Sequence, residues 1–261
     1  MVQDAKYKIG NKTLVSTYVG KPFDEAKAEL ENKDYSIITP EQFAQLRIAK
    51  GASHSVSTSG AYTSMGDIMI PKKGRFLTPL SLVMKNPTEA TQAHRNGKEF
   101  YVSDEDTEKA LENSIVIPYN QSEVPFNRFA EDPITAFVFE KIAKEYGEFL
   151  QETFKEVGIT AMPLLFDYER YINSQKSPFA NQLWLHGLGG DVQSDLDGIS
   201  RGLDYGDAVR GVKFVEPRSG EDRAKVSVPN LKEILKYSEQ FVPEVKRKDF
   251  EKGLEAIFNK Y

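Results

Sequence analysis

The chain has 261 residues, of which 39% are hydrophobic and 28% are charged, a composition typical of an ordinary globular protein. It contains no cysteine, which excludes a disulfide framework, a thiolate nucleophile and a thiolate metal site. Its net charge of −5 provides no broad positive field for a phosphate backbone, so a nucleic-acid partner is not expected.

Targeting and membrane-spanning patterns are missing from the sequence. No run reaches the length of about 18 apolar residues that a membrane helix needs. The first residues, 1–6, lack the basic and apolar regions of a secretory signal. We therefore expect a cytoplasmic protein with no membrane partner.

The N-terminal region begins with a strand pattern and continues with a helix pattern. Residues 7–9 and 14–19, on either side of Gly10-Asn11, predict two short strands joined by a turn. Pro22 suits the start of a helix, because its fixed φ angle matches the first helical turn. The apolar face of this helix consists of Phe23, Ala26 and Leu30.

A second helix is predicted after a short apolar strand at residues 35–38. Thr39 is placed to cap it, Pro40 suits its first turn, and Gln42 can bond back to the cap. Gly51 is expected to end it. Residues 22–50 therefore predict a helix, a short strand and a capped helix, in that order.

The middle of the chain combines a hairpin with a mostly helical insertion at about residues 86–180. Residues 68–77 predict the hairpin, with a turn at 71–74. One helix is predicted after Ser103 and a stronger one from Pro133. The apolar stripe of the stronger helix consists of Ile134, Phe137, Val138, Ile142, Tyr146, Phe149 and Leu150.

The C-terminal third contains two apolar strands around a long Gly/Asp-rich passage. The strands are predicted at residues 182–185 and 208–215. Two closing helices, separated near Pro243, are predicted in residues 217–261. This segment is expected to form a helical extension that packs on the preceding core.

The order of these elements resembles that of C-type-lectin-like domains. Phe23-Asp24-Glu25-Ala26 and the run from Tyr35 to Phe43 look like the early helix, strand and helix of the branch shared with formylglycine-generating-like proteins. Thr39 and Pro40 stand in the reverse of that branch's order. Leu183-Trp184-Leu185 and the later Val209-Arg210-Gly211-Val212 are similar to the fold's last strands. The resemblance covers residues 22–46 and 182–216.

This resemblance implies an α+β fold with a mixed core. It places a C-type-lectin-like core at residues 1–216, with the helical insertion inside it and the tail after it. The catalytic members of the formylglycine-generating branch depend on paired cysteines, which this chain lacks. The Glu-Pro-Asn, Gln-Pro-Asp and Trp-Asn-Asp triplets of calcium-dependent sugar-binding lectins are also missing.

Calcium is the one cofactor for which the sequence offers candidate ligands. The run from Gln193 to Gly198, followed by Asp204, partly matches a loop whose oxygen ligands alternate around a glycine. Gln stands where the first Asp is usual, and Asp stands where a bidentate Glu is usual. The alternative is a solvated loop whose Asp and Gly residues form turns. The candidate metal ligands are Gln193, Asp195, Asp197 and Asp204.

The same passage, residues 186–206, carries polar and aromatic side chains between two strands, which suits recognition. The resemblance implies that this region forms the ligand face, which the variable proteins of diversity-generating retroelements vary on a constant scaffold. For Trp184 the alternative is a core position, which is common for a strand tryptophan. The candidate ligand-binding residues are Trp184, His186, Asp191, Ser194, Asp195, Asp197, Ser200, Arg201, Asp204 and Tyr205.

The sequence favours a non-catalytic binding protein whose ligand is a protein, a small molecule or a carbohydrate. A metal- or histidine-dependent hydrolase is the rival, and it requires His54, His94 or His186 to meet carboxylates in one pocket. Their spacing matches no metal motif. A structural or assembly protein is a third hypothesis, in which the tail helices would bind a partner.

Overall fold

A computed structural model describes residues 2–9, 12–166, 177–189, 194–198, 202–206 and 208–215. The chain divides into two units, Met1–Glu216 and Pro217–Tyr261, and every described residue belongs to the first. The helices predicted for residues 217–261 lie outside the described residues. They stay a prediction, as does the extension that they would form.

Eleven strands and seven α-helices make up the described part of the chain. The strands are β1 (Val2–Ile9), β2 (Lys12–Gly20), β3 (Ser36–Ile37), β4 (Ala61–Ile70), β5 (Gly74–Thr78), β6 (Ile115–Ile117), β7 (Glu123–Pro125), β8 (Ala161–Leu165), β9 (Phe179–Leu185), β10 (Leu196–Asp197) and β11 (Ala208–Val215). The helices are α1 (Phe23–Glu31), α2 (Pro40–Lys50), α3 (Ser55–Thr58), α4 (Pro87–Arg95), α5 (Asp104–Leu111), α6 (Pro133–Phe139) and α7 (Ala143–Phe154). Across these ranges each helix is too short or too polar to cross a bilayer.

All of these strands belong to a mixed sheet in the order β1-β2-β11-β4-β9-β10-β8-β7. Strand β3 pairs with β11, and β5 connects β4 to β6. Strand β11 is antiparallel to β2 along its whole length and parallel to β4, where Val209 is the partner of Tyr62. The last described strand therefore joins the N-terminal hairpin to the rest of the sheet.

Two apolar clusters lie against the sheet. Because successive strand residues point to opposite faces, Phe76 contributes to one cluster and its neighbour Leu77 to the other. Helices α1 and α4 contribute to the first cluster, with Phe23, Ala26, Leu30 and Ala90. Helices α2, α6 and α7 contribute to the second, with members such as Phe43, Val138 and Leu150. Helices therefore cover both faces.

The local predictions for the first two helices are confirmed. Phe23, Ala26 and Leu30 are the buried residues of α1. In α2, Thr39 Oγ1 accepts a hydrogen bond from Gln42 N at 3.1 Å, and Gln42 Oε1 accepts one from Thr39 N at 3.1 Å. This reciprocal pair is a capping box. Gly51, with φ of 83°, ends the helix.

The single long helix predicted from Pro133 is wrong. Helix α6 ends at Phe139, and Glu140 has φ and ψ of 49° and −131°, which an α-helix does not accommodate. A short 3-10 turn at Glu140–Ile142 then leads into α7. The apolar stripe is thus divided between two helices that pack on the same cluster.

The insertion at residues 86–180 contains strands as well as helices. It holds α4 to α7, together with the three short strands β6, β7 and β8 and the beginning of β9. These short strands pair with the main sheet through β5 and β10. Their lengths of three to five residues explain why no strand periodicity was visible in the sequence.

Candidate functional site

The 186–206 loop returns to the scaffold at three points. Leu188 N donates to Ser57 O at 2.7 Å, and β10 then pairs with both β9 and β8. Further along, Leu203 is 1% exposed, and its carbonyl accepts a hydrogen bond from Phe23 N at 2.8 Å. The segments between these anchor points are short. A loop tied down in this way has a fixed base.

Four of the predicted ligand-binding residues lie in the interior. Trp184 is 6% exposed and meets the Tyr62 ring edge to face at 4.9 Å. His186 and Asp197 are also buried, with 3.4 Å between His186 Nε2 and Asp197 Oδ2. Ser194 is completely buried. The prediction of an exposed recognition surface is therefore corrected for these four residues, because their neighbours belong to the scaffold.

Arg47 of α2 connects the loop to the core, although the sequence analysis did not select it. Its guanidinium donates to His186 O at 2.6 Å, to Ser59 O at 3.1 Å and to Tyr146 Oη at 2.8 Å. A weaker bond of 3.4 Å reaches Ser194 Oγ. None of these partners is a carboxylate. The Phe43 ring lies 4.1 Å below the guanidinium, a favourable position for a buried cation.

The sequence did contain one indication of this arrangement. Arg47 follows Phe43 by four residues, so both lie on the same face of α2. A charged residue on the buried face of an amphipathic helix is uncommon unless it has partners. The periodicity of α2 was thus a usable signal that Arg47 is buried.

A second buried group supports the middle of the loop. Arg75 Nε donates to Asp67 Oδ2 at 2.6 Å, and Arg75 Nη2 lies 3.2 Å from Asp67 Oδ1. The same Nη2 also donates to the carbonyl of Gly198, directly after β10. Burial raises the pKa of Asp67, and the Arg75 charge opposes that rise. This ion pair therefore holds the loop backbone through a hydrogen bond.

Three predicted site residues are wholly or partly exposed, although Asp195 Oδ1 is buried. Tyr205 is 69% exposed, whereas Asp195 and Asp204 are half-buried. Asp204 and Tyr205 are the two residues that come directly after Leu203, the third anchor point. Four further candidates lie outside the described residues, namely Asp191, Gln193, Ser200 and Arg201. The described part of the outward surface therefore consists of carboxylates and an aromatic ring.

The described residues contain no group of three or more histidine and carboxylate side chains placed to hold a metal ion. Since Gln193 lies outside them, the calcium hypothesis stays a prediction. The three histidines have separate surroundings. His54 Nδ1 accepts a hydrogen bond from Val56 N at the start of α3, His94 belongs to α4, and His186 is paired with Asp197. Among the described residues the hydrolase hypothesis gains the His186–Asp197 pair, and His94 is influenced by the charge of Asp204.

His94 makes the stability of the fold depend on pH. Burial lowers its pKa, and the charge of Asp204 opposes the change only in part. His94 therefore binds a proton more readily in the unfolded chain than in the folded one. Its contribution to the free energy of unfolding is fully present above a pH of about 6.5, and it is lost as the pH drops through the folded-state pKa. We expect the substitution His94→Gln to reduce the dependence of the free energy of unfolding on pH below about 6.5, as measured by urea titrations at a series of pH values. An unchanged slope in the variant would show that other groups cause it.

Comparison with known proteins identifies the fold. No family model and no curated protein matches the sequence. The structure is similar to a solved structure concerned with the accommodation of massive sequence variation in Nanoarchaeota by the C-type lectin fold. The TM-score is 0.53 at 15% sequence identity, and the match covers 80% of this chain and 100% of that chain. The predicted fold class is thereby confirmed: this protein has a mixed α+β, C-type-lectin-like fold.

Proposed function

We propose that this is a non-catalytic ligand-binding protein that presents the outward segments of the 186–206 loop on a rigid base. The observation that carries the proposal is the three-point anchoring of the loop. Leu188 and Leu203 hold its two ends by backbone hydrogen bonds, and β10 holds its middle. Rigid support lowers the entropic cost of binding, because the contact surface needs little reordering.

The side chains at the surface indicate which ligands suit this loop. Tyr205 offers a large amphipathic ring, and Asp204 offers hydrogen-bond acceptors. A partner with several donors, such as a protein loop, a polar small molecule or a carbohydrate, complements this set. A phosphate backbone does not, since the carboxylate would repel it.

A variable protein of the type made by diversity-generating retroelements is a second candidate. It is favoured by the similarity to the Nanoarchaeota structure, which is described in terms of massive sequence variation. The anchors would then stay constant while residues between them change. Differences among close relatives that are concentrated between the anchors would favour this candidate.

Membership of the formylglycine-generating-like branch is likewise a proposal, supported by the motifs around residues 22–46.

The proposed function predicts that the double variant Asp204→Ala/Tyr205→Ala loses binding but keeps its stability. Wild type and variant are compared on glycan and peptide arrays, with calcium and with a chelator. Tyrosine is enriched among binding hot spots, whose removal costs about 2 kcal/mol or more, or roughly thirtyfold in affinity. Thermal midpoints of the two proteins are expected to agree, because surface substitutions change stability by about 0.5 kcal/mol or less.

The matched control is Asp104→Ala/Tyr119→Ala, which removes the same side chains from exposed positions outside the loop. Binding that survives the Asp204/Tyr205 substitutions, or is lost equally in the control, contradicts the assignment of the loop. Binding that disappears with the chelator would support the calcium hypothesis.

A further inference from the structure

A cavity of about 390 Å³ lies where the start of α2, the middle of β4 and the end of α6 meet. Its apolar lining includes Met65, Ala136, Phe137 and Val138. Mostly apolar cavities of about 300–1,000 Å³ with a few polar groups are typical of small-molecule sites. None of the described residues of the 186–206 loop lines it.

Ser64 provides a polar group in the wall of this cavity. It is 8% exposed, and its backbone is fully paired: Ser64 N donates to Ile38 O at 2.8 Å, and Ser64 O accepts from Ser81 N at 3.0 Å. Its hydroxyl has no hydrogen-bond partner among the described residues. Gln182 Nε2 donates to Met65 O at 3.2 Å and so holds the adjacent backbone in place. The hydroxyl is thus a positioned and unused hydrogen-bonding group.

Glu140 provides a negative charge at the rim. Its side chain is exposed and forms no ion pair with any described residue. With φ of 49° it is one of four described non-glycine residues with positive φ. Such a conformation costs on the order of 1–3 kcal/mol and is often retained at ligand-binding positions. The strained backbone ends α6 at this residue and brings its carboxylate to the cavity.

The start of α2 offsets this negative charge only in part, since a helix N-terminus contributes about half a positive charge. Thr39 Oγ1 already accepts from Gln42 N, and Pro40 has no N–H to donate. The next residue, Glu41, adds a second carboxylate, which is partly neutralised by Lys141 Nζ at 3.5 Å. An anion would therefore meet net negative charge and few donors. A cation would meet the Glu140 carboxylate, which has no ion-pair partner within the part of the chain that the structure describes.

We propose that this cavity binds a small organic amine, with its apolar body against Phe137 and Met65 and its ammonium group at Glu140. The Ser64 hydroxyl accepts a hydrogen bond from the bound molecule. This site is independent of the ligand-binding loop, so either proposal can fail without the other.

Three probes of similar shape and different charge test the proposal: phenethylamine, phenethyl alcohol and hydrocinnamate. Binding is measured by saturation-transfer NMR and by titration of backbone amide shifts in the full chain. We expect phenethylamine to bind with a dissociation constant on the order of millimolar. Phenethyl alcohol should bind about threefold more weakly, as expected for loss of one exposed charge pair. Hydrocinnamate should bind most weakly of the three.

Two variants locate the site. Glu140→Gln is expected to remove the preference for the amine over the alcohol, whereas Glu108→Gln, an exposed control on α5, should leave it unchanged. Ala136→Phe should fill the cavity and abolish the shifts around Ser64. Circular dichroism shows whether each variant folds. If Ala136→Phe does not fold, Ser64→Ala takes its place. This variant should lose less amine affinity than is expected for Ala136→Phe. Equal binding of all three probes, no binding of the amine, or binding unaffected by Glu140→Gln overturns the proposal.

Discussion

Replacing Arg47→Met is expected to lower the free energy of unfolding by about 3 kcal/mol. The substitution leaves the buried oxygens of Ser59, His186 and Tyr146 without their donor. Each unsatisfied buried acceptor costs about 1–3 kcal/mol, while removal of a buried charge returns part of the total. Because His186 and the weaker partner Ser194 belong to the 186–206 loop, the loop should also become more sensitive to protease.

Urea denaturation followed by circular dichroism measures the change, and limited proteolysis follows the loop. Lys50→Met is the matched control, because it replaces a cation one turn later on the same helix. Lys50 is only half-buried, so its replacement should change stability by about 0.5 kcal/mol or less. Equal effects of the two substitutions would mean that the contacts of Arg47 contribute little.

Asp67→Asn is expected to cost about 3–5 kcal/mol. The bidentate contact with Arg75 is buried on both sides, with side-chain exposures of 0% for Asp67 and 3% for Arg75. Removing the carboxylate leaves the guanidinium without its closest counter-charge in a site that water does not reach. Asp34→Asn is a suitable control, because Asp34 is exposed and its φ of 60° is one that Asn also tolerates.

A double variant separates the effect of an unpaired buried charge from that of packing. Asp67→Leu/Arg75→Leu removes both charges, and well-packed apolar replacements of buried pairs are often close to neutral. The double variant should therefore be more stable than Asp67→Asn, although Gly198 O loses its donor. A double variant that is less stable than the single one would show that Arg75 acts mainly through that carbonyl.

Features that depend on neighbouring residues could be predicted from the sequence. The capping box at Thr39 and Gln42 involves residues three apart, and the β4–β5 hairpin closes over the turn at 71–74. The two apolar strands around the Gly/Asp-rich passage, now β9 and β11, were predicted in the same way. In each case the pattern that predicts the element lies within one short window of sequence, even where the strands with which it pairs are distant, so periodicity and turn chemistry are sufficient.

Features that depend on distant residues could not be predicted. Tyr146 lies 99 residues from Arg47, and His186 lies 139 residues from it. Burial of Trp184, His186 and Asp197 depends on how distant strands and helices pack, which polar residue types alone do not reveal. The break at Glu140 has no glycine or proline to mark it. The location of the candidate loop was therefore predictable, whereas its inward and outward side chains were not.

The central position of β11 has a consequence for synthesis on the ribosome. Its partners β2 and β4 are translated first, with β2 almost two hundred residues ahead. Until residues 208–215 leave the exit tunnel, the edge of β2 that will face β11 has no partner strand there. Unpaired edges favour association with other chains. Completion of the sheet is thus expected to wait until residues 208–215 have left the exit tunnel.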